Sequence, residues 1–114
     1  MTIRTFNVKA DMPSLDEARR TVIEQIRRAK REKVRVLKVI HGWGSTGRGG
    51  TLCVGLRKSF KLRKKEGVIR EFIPGEDFSI FNGTVLDLLD AVPELRGDPD
   101  LNATNEGVTL LWLK

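Results

Sequence analysis

Two short apolar runs flank one long amphipathic stretch near the start of the chain, and this arrangement limits the fold more than any other feature. From Leu15 to about Arg31, the residues Leu15, Ala18, Val22, Ile23, Ile26 and Ala29 recur with the 3.6-residue period of a helix. Arg20, Arg27, Arg28 and Arg31 fall on the far face. Met12-Pro13-Ser14 breaks the preceding segment, Ser14 is a good N-cap, and Glu17 stands at the capping-box position. Ahead of the helix, Ile3 to Lys9 alternates Phe6 and Val8 with Asn7 and Lys9, the pattern of a half-buried strand. Behind it, Val34 to Ile40 is rich in β-branched residues and too short for another typical helix, so it reads as a central strand. Strand–helix–strand units of this kind normally cross over right-handedly.

The pattern then repeats. Leu52, Leu56 and Phe60 recur every four residues, which predicts a second helix from Gly50 or Thr51 to Gly67, where glycine suits the left-handed position after the last turn. Arg57-Lys58, Lys61 and Arg63-Lys64-Lys65 make this helix strongly basic. Val68 to Ile73 predicts a third strand and Val108 to Leu113 a fourth. The intervening segment, Pro74 to Gly107, is too long for a structureless loop in a compact domain. Val85, Leu88, Leu89 and Val92 place a short helix over Thr84 to Val92, and Arg96-Gly97-Asp98-Pro99-Asp100 reads as a turn or loop. The expected fold is therefore α/β: a two-layer sandwich in the order β-α-β-α-β-(insertion helix)-β, with a four-stranded mixed sheet. Both long helices lie on one face, and an insertion at about 74–104 covers part of the sheet or an edge. The strand order does not follow from these patterns.

A length of 114 residues fits one domain spanning 1–114. The formal charge of +6 points to a polyanionic partner, DNA or RNA, against the plainer reading of a solubilising surface. Cys53 and His41 are the only residues of their kinds, which excludes an intramolecular disulfide, a thiolate zinc cluster and a two-histidine zinc site. A free thiol suits a reducing cytosol, so the expected location is cytoplasmic. Residues 1–10 lack the apolar core of a signal peptide, and no apolar run approaches the ~20 residues needed to cross a membrane.

The segment between the second strand and second helix carries the chemistry. Gly42, Gly44, Gly47, Gly49 and Gly50 fall between a strand and a helix N-terminus. Unshielded backbone N–H groups and the helix dipole make such a loop a plausible phosphate seat. Ser45 and Thr46 offer hydroxyl donors, and Arg48 a charged fork. Gly42-Trp43-Gly44-Ser45-Thr46-Gly47 also spells G-x-G-x-x-G, but a dinucleotide fold would need more strands and an acidic residue ending the next one. No Gly-Lys-Ser or Gly-Lys-Thr closes the loop as a P-loop would require. Trp43 suits stacking on an exposed base, or folds back on the core. His41, at the end of a buried strand, is either a structural hydrogen-bonding group or a proton acceptor and phosphate ligand at the loop mouth.

Leu37-Lys38-Val39-Ile40-His41-Gly42-Trp43-Gly44 resembles the H-G-x-G signature of the small MutS-related (Smr) family, and Ser45 to Leu52 resembles that family's glycines leading into a helix. Asn105 to Leu113 is similar to its closing G-x-T strand, and Leu15-Asp16-Glu17-Ala18 to the start of its first helix. The resemblance covers the chain outside Pro74–Ala103. It implies a fold similar to the C-terminal domain of bacterial translation initiation factor three, DNA or RNA binding, and in some members nicking or cleavage. It also implies that His41, Gly42 and Gly44 belong to the binding loop. The family's first strand usually reads L-D-x-H-G. Here the run is Phe6-Asn7-Val8-Lys9-Ala10, so Asn7 stands where the acid would be and Lys9 where the histidine would be.

The expected function is structure-selective nucleic-acid binding without efficient cleavage and without a cofactor. Lys9, His41, Arg48, Arg57, Lys61 and Lys64 are expected on phosphates, Gly42 to Gly47 in the loop, and Trp43 on a base. The alternatives are two. One is a nicking endonuclease, with His41 as base or with a divalent metal on Glu71, Glu76 or Asp77. The other is a protein-interaction module acting through the acidic and apolar 74–104 insertion.

Overall fold

The computed structural model describes residues 2–43 and 48–114. The strands are β1 (Ile3–Asn7), β2 (Val36–Ile40), β3 (Ile69–Pro74) and β4 (Val108–Leu113). The helices are α1 (Leu15–Arg31), α2 (Arg48–Lys65) and α3 (Gly83–Ala91), with 3-10 turns at Gly75–Asp77 and Pro93–Gly97.

Local chemistry sets most of these boundaries. The Ser14 hydroxyl accepts from the Glu17 N–H, and the Glu17 carboxylate accepts from the Ser14 N–H, which satisfies two N-terminal donors of α1. Asp16 and Glu17 at the first turn, with Arg28, Lys30 and Arg31 at the last, match the helix dipole. α2 ends in a Schellman arrangement. Gly67 has φ +77°, its N–H donates to the Lys64 carbonyl, and the Val68 N–H donates to Arg63. β1 ends two residues before the expected Lys9. The Asn7 side chain accepts from the Lys9 N–H at 3.1 Å and bends the chain away, although the Val8 N–H still reaches the Ile40 carbonyl.

The sheet order is β1-β2-β4-β3. β1 and β2 are parallel, with Asn7 opposite Ile40, and β4 lies antiparallel between β2 and β3. The sheet is therefore mixed, as expected, and the last strand occupies a central place. β4 is buried along its whole length, consistent with its unbroken apolar run.

Each face of the sheet carries a core. On one side Val8, Leu37, Val39, Leu111 and Leu113 pack beneath Ala18, Val22, Ile26 and Ala29 of α1 and Leu52, Leu56 and Phe60 of α2. On the other, Val36, Ile73, Val108, Leu110 and Trp112 pack against Phe78, Val85, Leu88, Leu89, Val92 and Leu95. The two-layer arrangement of sheet and long helices holds, and the insertion adds a shorter third layer on the opposite face. Burying a large apolar side chain contributes about 1.5–3 kcal/mol. The six insertion residues therefore make this layer part of the core and not a loose cover. The 3-10 turn at Pro93–Gly97 is anchored by the buried Leu95 and runs into the turn expected over Arg96–Asp100.

Candidate nucleic-acid interface

β1 and β2 end in register at one edge, and the segment entering β4 closes over them. The N–H groups of His41 and Gly42 both donate to the Gly107 carbonyl at 3.0 Å. Gly42 has φ +75°, and a Cβ there would stand 3.1 Å from Lys9 Cδ, so the position needs glycine on both counts. The Lys9 stem lies over Gly42. Lys9, Ile40, Gly42 and Trp43 on one side and residues 104–108 on the other enclose an open cleft of about 400 Å³. Trp43 stands at its lip, 57% exposed. It does not fold back onto the core.

His41 faces the opposite way. Its side chain points to the α2 side of the sheet and is fully buried. Nδ1 donates to the Gly42 carbonyl at 2.9 Å, and Nε2 accepts from the Thr109 hydroxyl at 2.8 Å. Thr109 in turn accepts from Arg57 Nε at 3.2 Å. Burial, reinforced by the Arg57 charge, holds the imidazole below its usual range despite the bond to Gly42. The ring is neutral at pH 7 and has no free nitrogen to offer a phosphate. The direct contact expected of His41 is thus replaced by an internal hydrogen-bond role, because strand alternation turns position 41 inward. The stability consequence has a definite sign. The unfolded chain takes up this proton first as pH falls, so the contribution of neutral His41 is complete above about pH 6.5 and is lost below it. Thermal melts from about pH 7.5 to 5 should show a fall in Tm that His41→Gln flattens.

Arg57 is the second inward residue. Its guanidinium forms a bidentate pair with Glu76 at 2.7 Å and 2.7 Å, and Nη2 also donates to the Glu106 and Val108 carbonyls at 3.3 Å each. Burial works to raise the Glu76 carboxyl, but the bonds from Arg57 prevail and hold it below the usual carboxylate range. Its place in a basic run predicts a phosphate contact for Arg57. The structure spends its fork inside, where it ties α2 to the 3-10 turn after β3 and to the cleft wall.

The remaining expected contacts divide. Lys61 is exposed, as are Lys58 and Lys65, and none of the three has an ion-pair partner among the described residues. Lys64 donates to Glu71 at 2.8 Å. Arg48 opens α2. Gly44, Ser45, Thr46 and Gly47 lie outside the described residues. The three carboxylates expected in the metal-dependent alternative take separate places. Glu71 and Glu76 are held by Lys64 and Arg57, Asp77 is exposed, and no group of three His, Cys, Asp or Glu that could hold a metal occurs among the described residues.

The cleft wall at Asn105–Gly107 is held by its own polar network. The Asn105 amide donates to Asp100 at 2.8 Å and its carbonyl accepts from the Gly107 N–H at 3.0 Å. Asp100 and Asp98 both pair with Lys38. Asp98 and Asp100, which the protein-interaction alternative would turn toward a partner, are engaged within the domain. The Gly107-Val108-Thr109 run was the available signal, since Gly107 lies against Gly42 and Thr109 meets His41. The outward side of the insertion presents Ile80, Phe81 and Leu86.

The comparisons agree with this construction. No curated protein matches the chain. The fold is similar to the Smr domain of Thermus thermophilus MutS2, with a TM-score of 0.61 and 15% identity over 97% of this chain and 98% of that one. The Smr domain family model matches residues 12–76, which run from the start of α1 through the glycine loop and α2 to the turn holding Glu76. His41 and Gly42, whose N–H groups tie the end of β2 to the segment entering β4, sit inside that match, and the chain belongs to the Smr domain family.

Proposed function

We propose that this domain binds DNA or RNA by shape, with a preference for unpaired strands, and that it does not cleave efficiently. The observation that carries the reading is Trp43. A half-exposed indole at the lip of an open cleft, with the Lys9 ammonium beside it, offers a base platform next to a phosphate contact. The exposed lysines of α2 extend the cationic surface away from the cleft. Such contacts position a backbone and carry little sequence information. Cleavage is disfavoured by Asn7 and Lys9 in the places of an acid and a histidine, and by the enclosure of His41.

Trp43→Ala should weaken single-strand binding by about 1–3 kcal/mol, weaken duplex binding less, and leave Tm nearly unchanged. Wild-type affinity should fall with salt by about 0.7–0.9 log units per log unit for each phosphate contacted. Fluorescence anisotropy on matched single-stranded and duplex oligonucleotides measures both. A drop in Tm without a change in relative affinity would make Trp43 a packing residue. If no nucleic acid binds, the reading passes to protein contact through the 74–104 insertion, where Phe81 is 92% exposed.

A further inference from the structure

A second cavity lies far from the cleft, between the C-terminal halves of α1 and α2 and the start of β3. It measures about 520 Å³. Ile23, Ile26 and Val68 form its apolar lining, and Arg27, Arg31 and Arg63 line it together with one carboxylate, Glu66. Lys30 also lines it but is spent on the Val68 carbonyl, to which it donates at 2.9 Å. Arg63 is paired with Glu66 at 2.7 Å, and Arg31 reaches Glu24 only at 3.9 Å. Arg27 has no ion-pair partner among the described residues. The groove thus presents an apolar lining beside cationic charge to spare. That combination matches an unstacked nucleotide: the base face lies on aliphatic carbon while flanking phosphates meet guanidinium groups.

The helices also relate this groove to the cleft. β1, β2 and β3 all run the same way, so α1 and α2 both run back against them. The first turn of α2 meets Trp43, where a Cβ on Gly50 would stand 3.5 Å from the Trp43 carbonyl oxygen. Arg63 is near the other end. Gly50 to Arg63 spans about 20 Å at 1.5 Å per residue. A strand with a stacked rise of 3.4 Å per nucleotide covers that distance in about six nucleotides.

We infer that the groove between α1 and α2 is a second nucleotide site, filled by the same single strand that the Trp43 cleft holds. The inference rests on the nucleic-acid reading above and adds to it a second contact and a minimum ligand length. Two linked contacts raise affinity by effective concentration, so a strand long enough to reach both binds much more tightly than one that reaches either.

The test uses (dT)4 and (dT)12 with the full chain. Trp43 fluorescence reports the cleft, with Trp43→Phe as the control that isolates its signal from Trp112. Wild type should bind (dT)12 at least about tenfold more tightly than (dT)4. Arg27→Ala with Arg31→Ala should remove most of that advantage while leaving (dT)4 quenching of Trp43 unchanged. Ile23→Gln, which alters no charge, should also reduce it. Circular dichroism melts confirm that the variants fold, and all three changes fall on partly or fully exposed helix positions. Equal losses on both oligonucleotides would reduce the arginines to general charge and overturn the site. So would unchanged (dT)12 affinity in either variant. Absence of Trp43 quenching by both oligonucleotides in the wild type would overturn the cleft reading and this site together.

Discussion

Arg57→Ala should lower stability by roughly 2–4 kcal/mol. This is somewhat below the ~3–5 kcal/mol typical of breaking a fully buried ion pair, because the Arg57 and Glu76 side chains remain 17% and 29% exposed. For a domain of this size that is a fall in Tm of roughly 10–20 °C. The cost has three sources. Glu76 loses both of its bonds from the guanidinium, the Glu106 and Val108 carbonyls lose a donor, and Thr109 loses the partner opposite His41. Arg57→Lys should recover little, since an ammonium cannot span a carboxylate, a hydroxyl and two carbonyls at once. A urea or thermal melt checks the prediction. A melt indistinguishable from wild type, with affinity for nucleic acid sharply reduced, would return Arg57 to the phosphate-binding role that its place in a basic run suggests.

Lys38→Met should be of similar size, roughly 2–4 kcal/mol, because it strands two carboxylates against the sheet. Lys38 is only 8% exposed and pairs with Asp98 at 2.9 Å and with Asp100. Burial alone would lower the ammonium's affinity for its proton, but the bonds from Asp100 and Asp98 prevail and raise it. For Asp100, burial pulls upward and the bonds from Lys38 and Asn105 pull harder downward. Lys38→Met combined with Asp98→Asn and Asp100→Asn should recover much of the loss, since the uncompensated charges disappear along with the lysine. Denaturant melts of the single and triple variants decide this. A triple variant less stable than Lys38→Met would mean that the carboxylates contribute through bonds other than those to Lys38. Because Asp100 also holds Asn105, the single variant should loosen the cleft wall.

Much of the fold was legible in short stretches of the chain. The Ser14–Glu17 box, the period of α1, the glycine after α2 and the β-branched run of β2 each act within a few residues, so their consequences can be read without knowing what packs beside them. The cleft residues Lys9, Gly42 and Trp43 were legible for a related reason. Two parallel strands that end together must bring their exits to one edge. The insertion was harder. Its acidic side chains look alike in sequence, yet Glu76, Asp98 and Asp100 turn inward while Asp77, Asp87 and Glu94 stay in solvent.

By itself the sequence determined the alternation of strands and helices, their caps, the glycine loop between β2 and α2, and the excess of positive charge. Tertiary structure decided which of the charged and polar groups are free to meet a partner. Arg57 and Glu76 are 19 residues apart, Lys38 and Asp98 are 60, and His41 and Thr109 are 68. The His41–Thr109 pair forms because β4 inserts between β2 and β3, and the other two because the insertion folds back on the sheet and α2, placements that no local period encodes. Once it does, alternation along β2 sends Lys38 and His41 to opposite faces, each to a buried partner. Desolvation then makes leaving either one unpaired too costly. Lys58, Lys61 and Lys65 stay exposed without an ion-pair partner among the described residues, and distance in the folded chain decides that.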